Sequence, residues 1–448
     1  MTLMDEIVDL MAQFTQQMQQ FTEQDPVLSR RLAAKEAAAV EFGRAVGRAA
    51  LHHLIEAGGT GQEGSRRMGA CGHEHVFQRD ATRTLRTLVG EVRYCRAYYY
   101  CRTCGQSCCP KDEVLGQGPR HLSPGLERCV ALLGAHLSFA TSSLLLEQVA
   151  RVSLTDRQCE TVAESVGAEA DRREEAAVEA TRLKPLRATV GPVPAREPRT
   201  FIVEMDGVMA GLRGGRWEEV KVGVLFDLSQ RVEISSQRWE LLRRERCEYH
   251  GSVERFRQRV WAMLHRAGVR AEDRIVVIGD GAEWIEGIVE WLFVGATQIL
   301  DFYHVSERVW AVAGLRFGAG TPQASAFAHE KLSALASSDV ARVIASFTRL
   351  KLEAEEADAA RNDTVAYFDA RRAQMAYGQF RKAGLPIGSG AVEGSCKYLV
   401  SARCKQAGMR WSSDGLDAIL ALRCWVLNGR LDELCPRPHV PIEFKLAA

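Results

Sequence analysis

Residues 201–207 read FIVEMDG, an apolar run that ends on an aspartate and a glycine. A run of this kind is typical of a short buried strand, here 201–205, which delivers Asp206 at its end. A second apolar run, RIVVIG at 274–279, ends in the same way on Asp280. Two strands that each end on an aspartate predict an acidic site if the strands lie side by side.

The segments between these two runs set the order of the elements. Strands are predicted at 220–228 and 232–242, and residues 253–267 have helical spacing. Three strands, a helix and a buried fourth strand are the element order of an RNase H fold, in which the first and fourth strands are neighbours. Because carboxylates at the carboxyl ends of neighbouring parallel strands converge, Asp206 and Asp280 are the first two candidate catalytic residues.

A third carboxylate is expected from a later helix. In the stretch GLPIGSGAVEGSCK, Ser389 is placed to cap a helix that carries Glu393 in its first turns. Three carboxylates on separate elements suit two Mg²⁺ ions, for which Mn²⁺ substitutes, because magnesium keeps several waters and takes few protein oxygens. Such an ion pair supports phosphodiester hydrolysis and transesterification. A lone Asp-Gly is usually only a turn, so the prediction rests on all three residues in this order.

Asp301 is a competitor for the second position, since it ends another apolar run, ATQIL at 296–300. We favour Asp280 and keep Asp301 as the alternative ligand. If Asp301 is not a ligand, it and His304 are candidates for orienting the ligands or the DNA.

Several of these segments together resemble a known family. EMDG at 204–207, IGDGAEWI at 278–285, ILDFYH at 299–304 and GSGAVEGSCK at 388–397, with GMRW at 408–411, are similar to transposases of bacterial insertion sequences of the ISKra group, which are distantly Mutator-like. The resemblance covers roughly residues 60–430 of this chain.

The resemblance implies a DDE transposase that cuts and joins double-stranded DNA, both its own element ends and a target. It implies that Asp206, Asp280 and Glu393 hold the magnesium ions, and that a helical insertion precedes the helix with Glu393. In Mutator-like relatives a Cys-x-x-His pair stands where this chain has Asp301 and His304. A homodimer or larger homo-oligomer is expected, because two DNA ends must be brought together.

A cysteine and histidine cluster lies far upstream of the carboxylates. Cys101 and Cys104 form a Cys-x-x-Cys pair on a predicted hairpin, as in one knuckle of a zinc ribbon. Relatives usually begin this module with a second such pair, whereas here only Cys71 is present, followed by His73 and His75. One interpretation is a structural Zn²⁺ site from Cys71, His73 or His75, Cys101 and Cys104; the other is a ribbon without metal.

Positive charge is concentrated near the third carboxylate. Residues 381–411 contain six basic residues and a single acid, although the whole chain has a formal net charge of only +1. We expect DNA contacts from the basic residues that follow Glu393, namely Lys397, Arg403, Lys405 and Arg410. A solvated helix face is the alternative. A helix-turn-helix near 140–168 is a second candidate DNA-binding element.

Composition and pattern indicate a multidomain α+β protein. The predicted parts are an N-terminal helical region (1–60), a zinc-ribbon-like hairpin module (61–115), a helical region with the helix-turn-helix (116–183), a proline-rich linker (184–200), the first part of the RNase H-like catalytic domain (201–311), a helical insertion (312–385), the second part of the catalytic domain (386–432) and a tail (433–448).

The near-neutral charge excludes a global positive field that would attract nucleic acid, so any DNA-binding surface must be local. The chain has no signal-peptide pattern, and its apolar runs fall far short of the roughly 18 residues of a membrane span. We therefore expect a bacterial cytoplasmic protein. Two other functions remain open: a domesticated DNA-binding protein without catalysis, and an RNase H-like metal-dependent nuclease without strand transfer.

Overall fold

The computed structural model describes residues 2–118, 120–188, 196–235, 238–352 and 354–437. Contacts divide the chain into unit 1, Met1–Ala163 with Cys435–Ala448, and unit 2, Glu164–Leu434. The division falls upstream of the predicted linker. Residues 189–195 of that linker and residues 438–448 of the predicted tail lie outside the described part.

Unit 1 begins with helices, as predicted. Its described helices are α1 (Leu3–Gln24), α2 (Leu32–Glu56), α3 (Pro110–Val114), α4 (Pro124–His136), α5 (Phe139–Ala150) and α6 (Asp156–Thr181), which continues past the division. The N-terminal helical pattern is thus two helices, with a 3-10 turn at Leu28–Arg30 between them. The predicted helix-turn-helix corresponds to α5, residues 151–155 and the start of α6.

The hairpin module of unit 1 is an antiparallel sheet in the order β1-β2-β3-β4. Its strands are β1 (Arg66–Met68), β2 (Glu74–Thr87), β3 (Gly90–Tyr100) and β4 (Ser107–Cys108). Leu85, Val92 and Tyr94 pack with Ile55 of α2 into a small core. The buried Asp112 accepts hydrogen bonds from Arg83 and from the hydroxyl of Tyr94, both at 2.6 Å, so its charge is compensated.

Unit 2 is built on a five-stranded mixed sheet. The strands of this unit are β5 (Thr200–Gly211), β6 (Trp217–Asp227), β7 (Arg231–Ser235), β8 (Arg238–Leu241), β9 (Glu245–His250), β10 (Arg274–Gly279) and β11 (Thr297–Leu300). The five-stranded sheet has the order β11-β10-β5-β6-β9. β10 runs parallel to β5 and β11, and the other pairs are antiparallel. The first and fourth predicted strands are therefore neighbours, as expected.

The predicted third strand was wrong. Residues 232–242 fall on β7 and β8, which form a separate two-stranded sheet, and the third strand of the large sheet is β9. β9 escaped the sequence pattern because its sequence, ERCEYH, is mostly polar, yet its first four residues are buried. Arg259 donates to the buried Glu248 at 3.1 Å, and this ion pair compensates the buried charge. From the sequence pattern alone, such a charged residue is expected in a loop.

The helices of unit 2 cover the two faces of the sheet. They are α7 (Val253–Ala267), α8 (Glu283–Leu292), α9 (Phe302–Phe317), α10 (Pro322–Ala336), α11 (Val340–Thr348), α12 (Glu355–Ala370), α13 (Tyr377–Lys382), α14 (Gly390–Ser395), α15 (Ala402–Cys404), α16 (Ser413–Leu427) and α17 (Leu431–Leu434). A π-helical turn, Cys396–Ser401, joins α14 to α15. Within the described residues of the predicted insertion at 312–385, the regular elements are all helical.

Alternation along β5 separates its side chains between these faces. Phe201, Val203 and Met205 point into the apolar core that α7 and α8 complete. Glu204 and Asp206 therefore lie on the opposite face, where the α14 segment contacts β5 and β6. The fold thus places two acidic residues of one strand beneath the helix that carries Glu393.

In the described part of the chain, no helix combines the length and the apolar character that crossing a bilayer requires.

Candidate active site and Cys/His cluster

Asp206 and Asp280 lie side by side on neighbouring strands. Ile278 of β10 is paired with Glu204 of β5, so Asp280, two residues later, is level with Asp206. Burial raises the pKa of the Asp206 carboxyl, and the nearby charge of Asp280 raises it further. Asp206 does not end its strand as predicted, because β5 continues to Gly211 in pairing with β6.

The turn after Asp280 is held by residues of the helical insertion. The Tyr367 hydroxyl donates to the carbonyl oxygen of Asp280, and Arg371 donates to that of Gly281 at 3.0 Å. Gly281 has φ of +80°, and a Cβ at this position would lie 2.6 Å from the Tyr367 hydroxyl oxygen. Since other residues rarely adopt this φ, the turn requires glycine both for its backbone and for its contacts.

Glu393 is half-buried in the first turn of α14. Ser389 occupies the predicted N-cap position, but its hydroxyl does not cap the helix and instead donates to Asp301. The cap comes from Glu204, whose carboxylate accepts a hydrogen bond from the backbone N–H of Val392 at 2.8 Å. The predicted helix start was right, and the predicted capping residue was wrong.

Glu204 is the functional residue that our sequence reasoning missed. It is buried, and this burial raises the pKa of its carboxyl to about 8. A carboxyl group at the N-terminus of a helix also interacts favourably with the helix dipole. The signal was present in the sequence, because an acid two residues before Asp206 lies on the same face of the strand.

Asp301 is fully buried and its oxygens are engaged. One oxygen accepts from the backbone N–H groups of Tyr303, at 2.5 Å, and His304, at 3.1 Å, and so caps α9. The other accepts from the backbone N–H of Ser389 at 2.5 Å and from its hydroxyl. Asp301 therefore links the start of α9 to the start of α14, an arrangement that suits a positioning residue better than a metal ligand. The charge of His304 lowers the pKa of Asp206, so its ring lies close enough to act on that carboxyl.

Cys396 connects the first and third carboxylates. Its thiol makes a hydrogen bond to Asp206, and burial raises its pKa strongly, with further contributions from the charges of Asp206 and Glu393. The three predicted catalytic residues therefore share one neighbourhood. Their carboxylate oxygens do not lie close enough together to form a ligand set, however. Among the described residues, the group compact enough to hold a metal ion is the Cys/His cluster.

That cluster consists of Cys71, His73, Cys101 and Cys104, whose ligand atoms all lie within 4.8 Å of one another. Each half sits on a tight turn. Gly72 donates to the carbonyl of Gly69 at 3.0 Å, and Gly105 donates to that of Cys101 at 2.9 Å. Three sulfurs and one imidazole nitrogen form a ligand set that fits a structural zinc ion. The cluster contains His73, and His75 is not part of it.

His75 contacts the cluster but is not part of it. Its ring is buried, with Nε2 3.2 Å from the sulfur of Cys71 and Nδ1 3.4 Å from that of Cys108. A histidine in this place orients a ligand without being one.

The four predicted DNA-binding residues differ in exposure. Lys397, Lys405 and Arg410 are exposed. Arg403 is fully buried, and its guanidinium lies 4.9 Å from the centre of the Trp411 ring. The prediction for Arg403 was wrong, because a side chain in this position packs inside the protein and has no surface to offer to DNA.

A family model matches most of this chain. No curated protein matches the sequence. Residues 36–434, which include the Cys/His cluster and all three carboxylates, match the sequence model described as Uncharacterised protein family (UPF0236). The chain therefore belongs to the UPF0236 family.

Proposed function

We propose that this chain is a DNA transposase of the DDE type, related to the ISKra group, with Asp206, Asp280 and Glu393 as its catalytic residues. The observation that carries the proposal is the register of the parallel strands β5 and β10, which places Asp206 level with Asp280 beneath the helix of Glu393, with the charge of Asp280 raising the pKa of Asp206. Membership of a family associated with transposase-like proteins supports it.

The sheet order supports an RNase H-like catalytic domain. β5, β6 and β9 are neighbouring antiparallel strands in the sheet, and β10 and β11 extend its other edge in parallel. The helical insertion that the resemblance implies corresponds to the helices after β11 that precede α14. This order brings Asp206 in the middle of β5 level with Asp280 just after β10, as a three-carboxylate site requires.

The donor chemistry fits magnesium. Asp206, Asp280 and Glu393 offer only oxygen donors, which hard divalent cations prefer. The charge of Asp280 disfavours ionisation of Asp206, and a bound cation would relieve this repulsion. When bound, two magnesium ions activate the attacking water or 3′ hydroxyl and stabilise the leaving oxygen. The chain's own contribution is to fix the two aspartates by strand register and Glu393 by the Glu204 cap.

The remaining modules supply binding in this proposal. The exposed Lys397, Lys405 and Arg410 contact DNA phosphates beside the carboxylates, and the α5–α6 pair reads the element ends. The Cys/His cluster holds a structural zinc ion, and a homodimer or larger assembly brings two ends together.

The test is cleavage of a labelled duplex that carries the sequences flanking the coding region, with a target plasmid and Mg²⁺ or Mn²⁺. Asp280→Asn is expected to abolish cleavage and strand transfer while the affinity for the duplex stays near that of the wild type. Glu290→Gln, an exposed acid on α8, is the matched control and should cut normally. If Asp280→Asn cuts normally, the assignment of the second ligand is wrong.

The same assay separates the two other functions. Cleavage without joining to the target plasmid would identify a nuclease. Specific binding of the duplex without cleavage by the wild type, in either metal, would identify a non-catalytic DNA-binding protein.

A further inference from the structure

A pocket of about 570 Å³ opens in unit 2 between the β7–β8 hairpin and the first turn of α9. One wall carries Arg231 and Trp239 of the hairpin. The opposite wall carries Tyr303 of α9 and Arg381 of α13. This volume is within the range of roughly 300–1,000 Å³ that small-molecule sites occupy.

The pocket combines positive charge with open aromatic surface. Among the described residues that line it, two are arginines and none is acidic. Trp239 is 47% exposed and Tyr303 is 65% exposed, so both rings have surface free for a ligand. Arg231 lies 4.3 Å from the centre of the Trp239 ring and donates to the carbonyl of Gly384 at 3.1 Å, which fixes it in place.

Neither arginine has its charge neutralised by a described carboxylate. The contacts of Arg231 are the Trp239 ring and a backbone carbonyl, and Arg381 lies 5.8 Å from the centre of the Phe302 ring. Arg259 of the same unit, by contrast, is paired with Glu175 at 2.6 Å. Two uncompensated guanidinium groups beside exposed rings favour a ligand that has both an anionic group and a flat aromatic one.

The pocket adjoins the carboxylates through its own wall. Tyr303 lies between Asp301 and His304, and the His304 charge acts on Asp206. The backbone N–H of Phe302 donates to the carbonyl of Ile387 at 2.9 Å, which ties α9 to the segment that leads into α14. A strand held in the pocket would therefore lie next to the segment that leads into α14.

We propose that this pocket binds an unpaired nucleotide of single-stranded DNA, with its base against Trp239 and its phosphate between Arg231 and Arg381. The inference rests on the proposed function, since strand cleavage at the carboxylates frees a strand end, from which a nucleotide unpairs to enter the pocket. Every base has a flat face, so stacking on an aromatic ring binds single strands with little sequence preference, and arginine adds the phosphate contact.

The test measures binding of fluorescein-labelled oligothymidine and of a labelled duplex by fluorescence anisotropy, without added Mg²⁺ or Mn²⁺ so that no cleavage occurs. Trp239→Ala is expected to weaken oligothymidine binding roughly tenfold and to leave duplex binding within about twofold. Trp239→Phe, which keeps an aromatic ring, should restore most of the affinity and shows that the loss is not a folding defect.

Arg381→Gln tests the phosphate contact. It should weaken oligothymidine binding and reduce the slope of log affinity against log salt by about 0.7, the value for one phosphate of a single strand. The matched control is Trp291, which is 62% exposed and lies under Arg257 at 4.0 Å but does not line the pocket. Trp291→Ala and Arg257→Gln should leave both affinities unchanged.

The proposal is overturned if Trp239→Ala and Arg381→Gln bind oligothymidine as the wild type does. It is also overturned if they weaken duplex binding as much, or if oligouridine binds more than about tenfold tighter than oligothymidine. Because the assay contains no added Mg²⁺ or Mn²⁺, its result is independent of cleavage. If the wild type does not cleave the labelled duplex in either metal, the proposed function fails, and the binding result is judged separately.

Discussion

The Cys/His cluster and the carboxylate face bring together similar numbers of ligand-type residues in different ways. The cluster draws its four residues from two short turns within one small sheet, and its ligand atoms lie within 4.8 Å of one another. The carboxylate face draws Asp206, Asp280 and Glu393 from two strands and a helix that are far apart along the chain. Local turns thus close the first site, whereas the second depends on sheet register and on a helix cap.

The two sites also differ in what holds them. In the cluster, neighbouring backbone hydrogen bonds and glycines at positive φ set the position of the ligands. At the carboxylate face, the buried Glu204 fixes the start of α14, and the buried Asp301 fixes the start of α9. We therefore expect the stability of the Cys/His cluster to depend on each of its four residues. We expect the carboxylate face to depend on the residues that support it.

The largest effect is expected at the cluster. Cys101→Ser should reduce the zinc content from about one ion per chain to near zero. It should also lower the free energy of unfolding of unit 1 by on the order of 5 kcal/mol, because structural zinc contributes ~10–16 kcal/mol to small domains. Elemental analysis and denaturant unfolding measure the two quantities. Cys95→Ser, on β3 but outside the cluster, is the matched control. Wild-type protein that takes up no zinc would refute a metal role.

A smaller loss is expected from the cap of the Glu393 helix. Glu204→Leu removes the carboxylate acceptor at the start of α14 and leaves the N–H of Val392 with only the carbonyl of Ser389, at 3.1 Å, which should cost about 1–3 kcal/mol and reduce DNA cleavage sharply. Glu204→Gln keeps a carbonyl oxygen in the same place and should recover most of the stability. Chemical denaturation of both variants checks this, and equal stability of the two would show that the cap is unimportant.

The turn after Asp280 gives the next effect. Gly281→Ala should destabilise the protein by roughly 1–3 kcal/mol, because it combines a positive φ with a Cβ that meets Tyr367 and Leu300. Gly287→Ala in α8 is the control, since nothing lies within 4 Å of its Cβ position. That change should be neutral or stabilising by up to about 1 kcal/mol. Thermal unfolding compares them, and the comparison fails if both substitutions behave alike.

The smallest effect concerns pH. His250 binds Asp417 at 2.8 Å and Glu218 at 2.9 Å, and the hydrogen bond with Asp417 is the main cause of its raised pKa. Because the folded protein holds this proton more tightly, the stabilisation is fully present below the ordinary histidine pKa of about 6.5 and is lost as pH rises through the raised value. His250→Gln should flatten this part of the profile, by less than about 1 kcal/mol, in unfolding curves recorded from acidic to alkaline pH. An unchanged profile would show that the bonds to Asp417 and Glu218 do not couple to folding.

The sequence predicted correctly the elements with a regular hydrophobic pattern and the cluster of cysteine and histidine residues. The helix at 253–267 and the strand at 274–279 have the predicted bounds, and the residues close enough to hold a metal ion, Cys71, His73, Cys101 and Cys104, form one of the two predicted sets. These features depend on periodicity or on residues close together along the chain, both of which are visible in one sequence.

The failures share a physical cause, which is burial of polar groups by distant partners. The strand β9 was missed because its charges are paired with residues elsewhere in the chain. Glu204 was missed as the helix cap because its partner, Val392, is far away along the chain. Arg403 was misjudged because a cationic side chain was assumed to be exposed. Propensity and charge do not encode which polar groups the tertiary structure will enclose.

The most direct test of the account is a crystal structure of the protein with manganese, recorded at an energy that reveals its anomalous scattering. The account predicts a peak about 2–2.2 Å from carboxylate oxygens of both Asp206 and Asp280, with Glu393 moved in to complete the ligand set. A peak on Asp301, or none near these three residues at a manganese concentration that saturates cleavage, would contradict it.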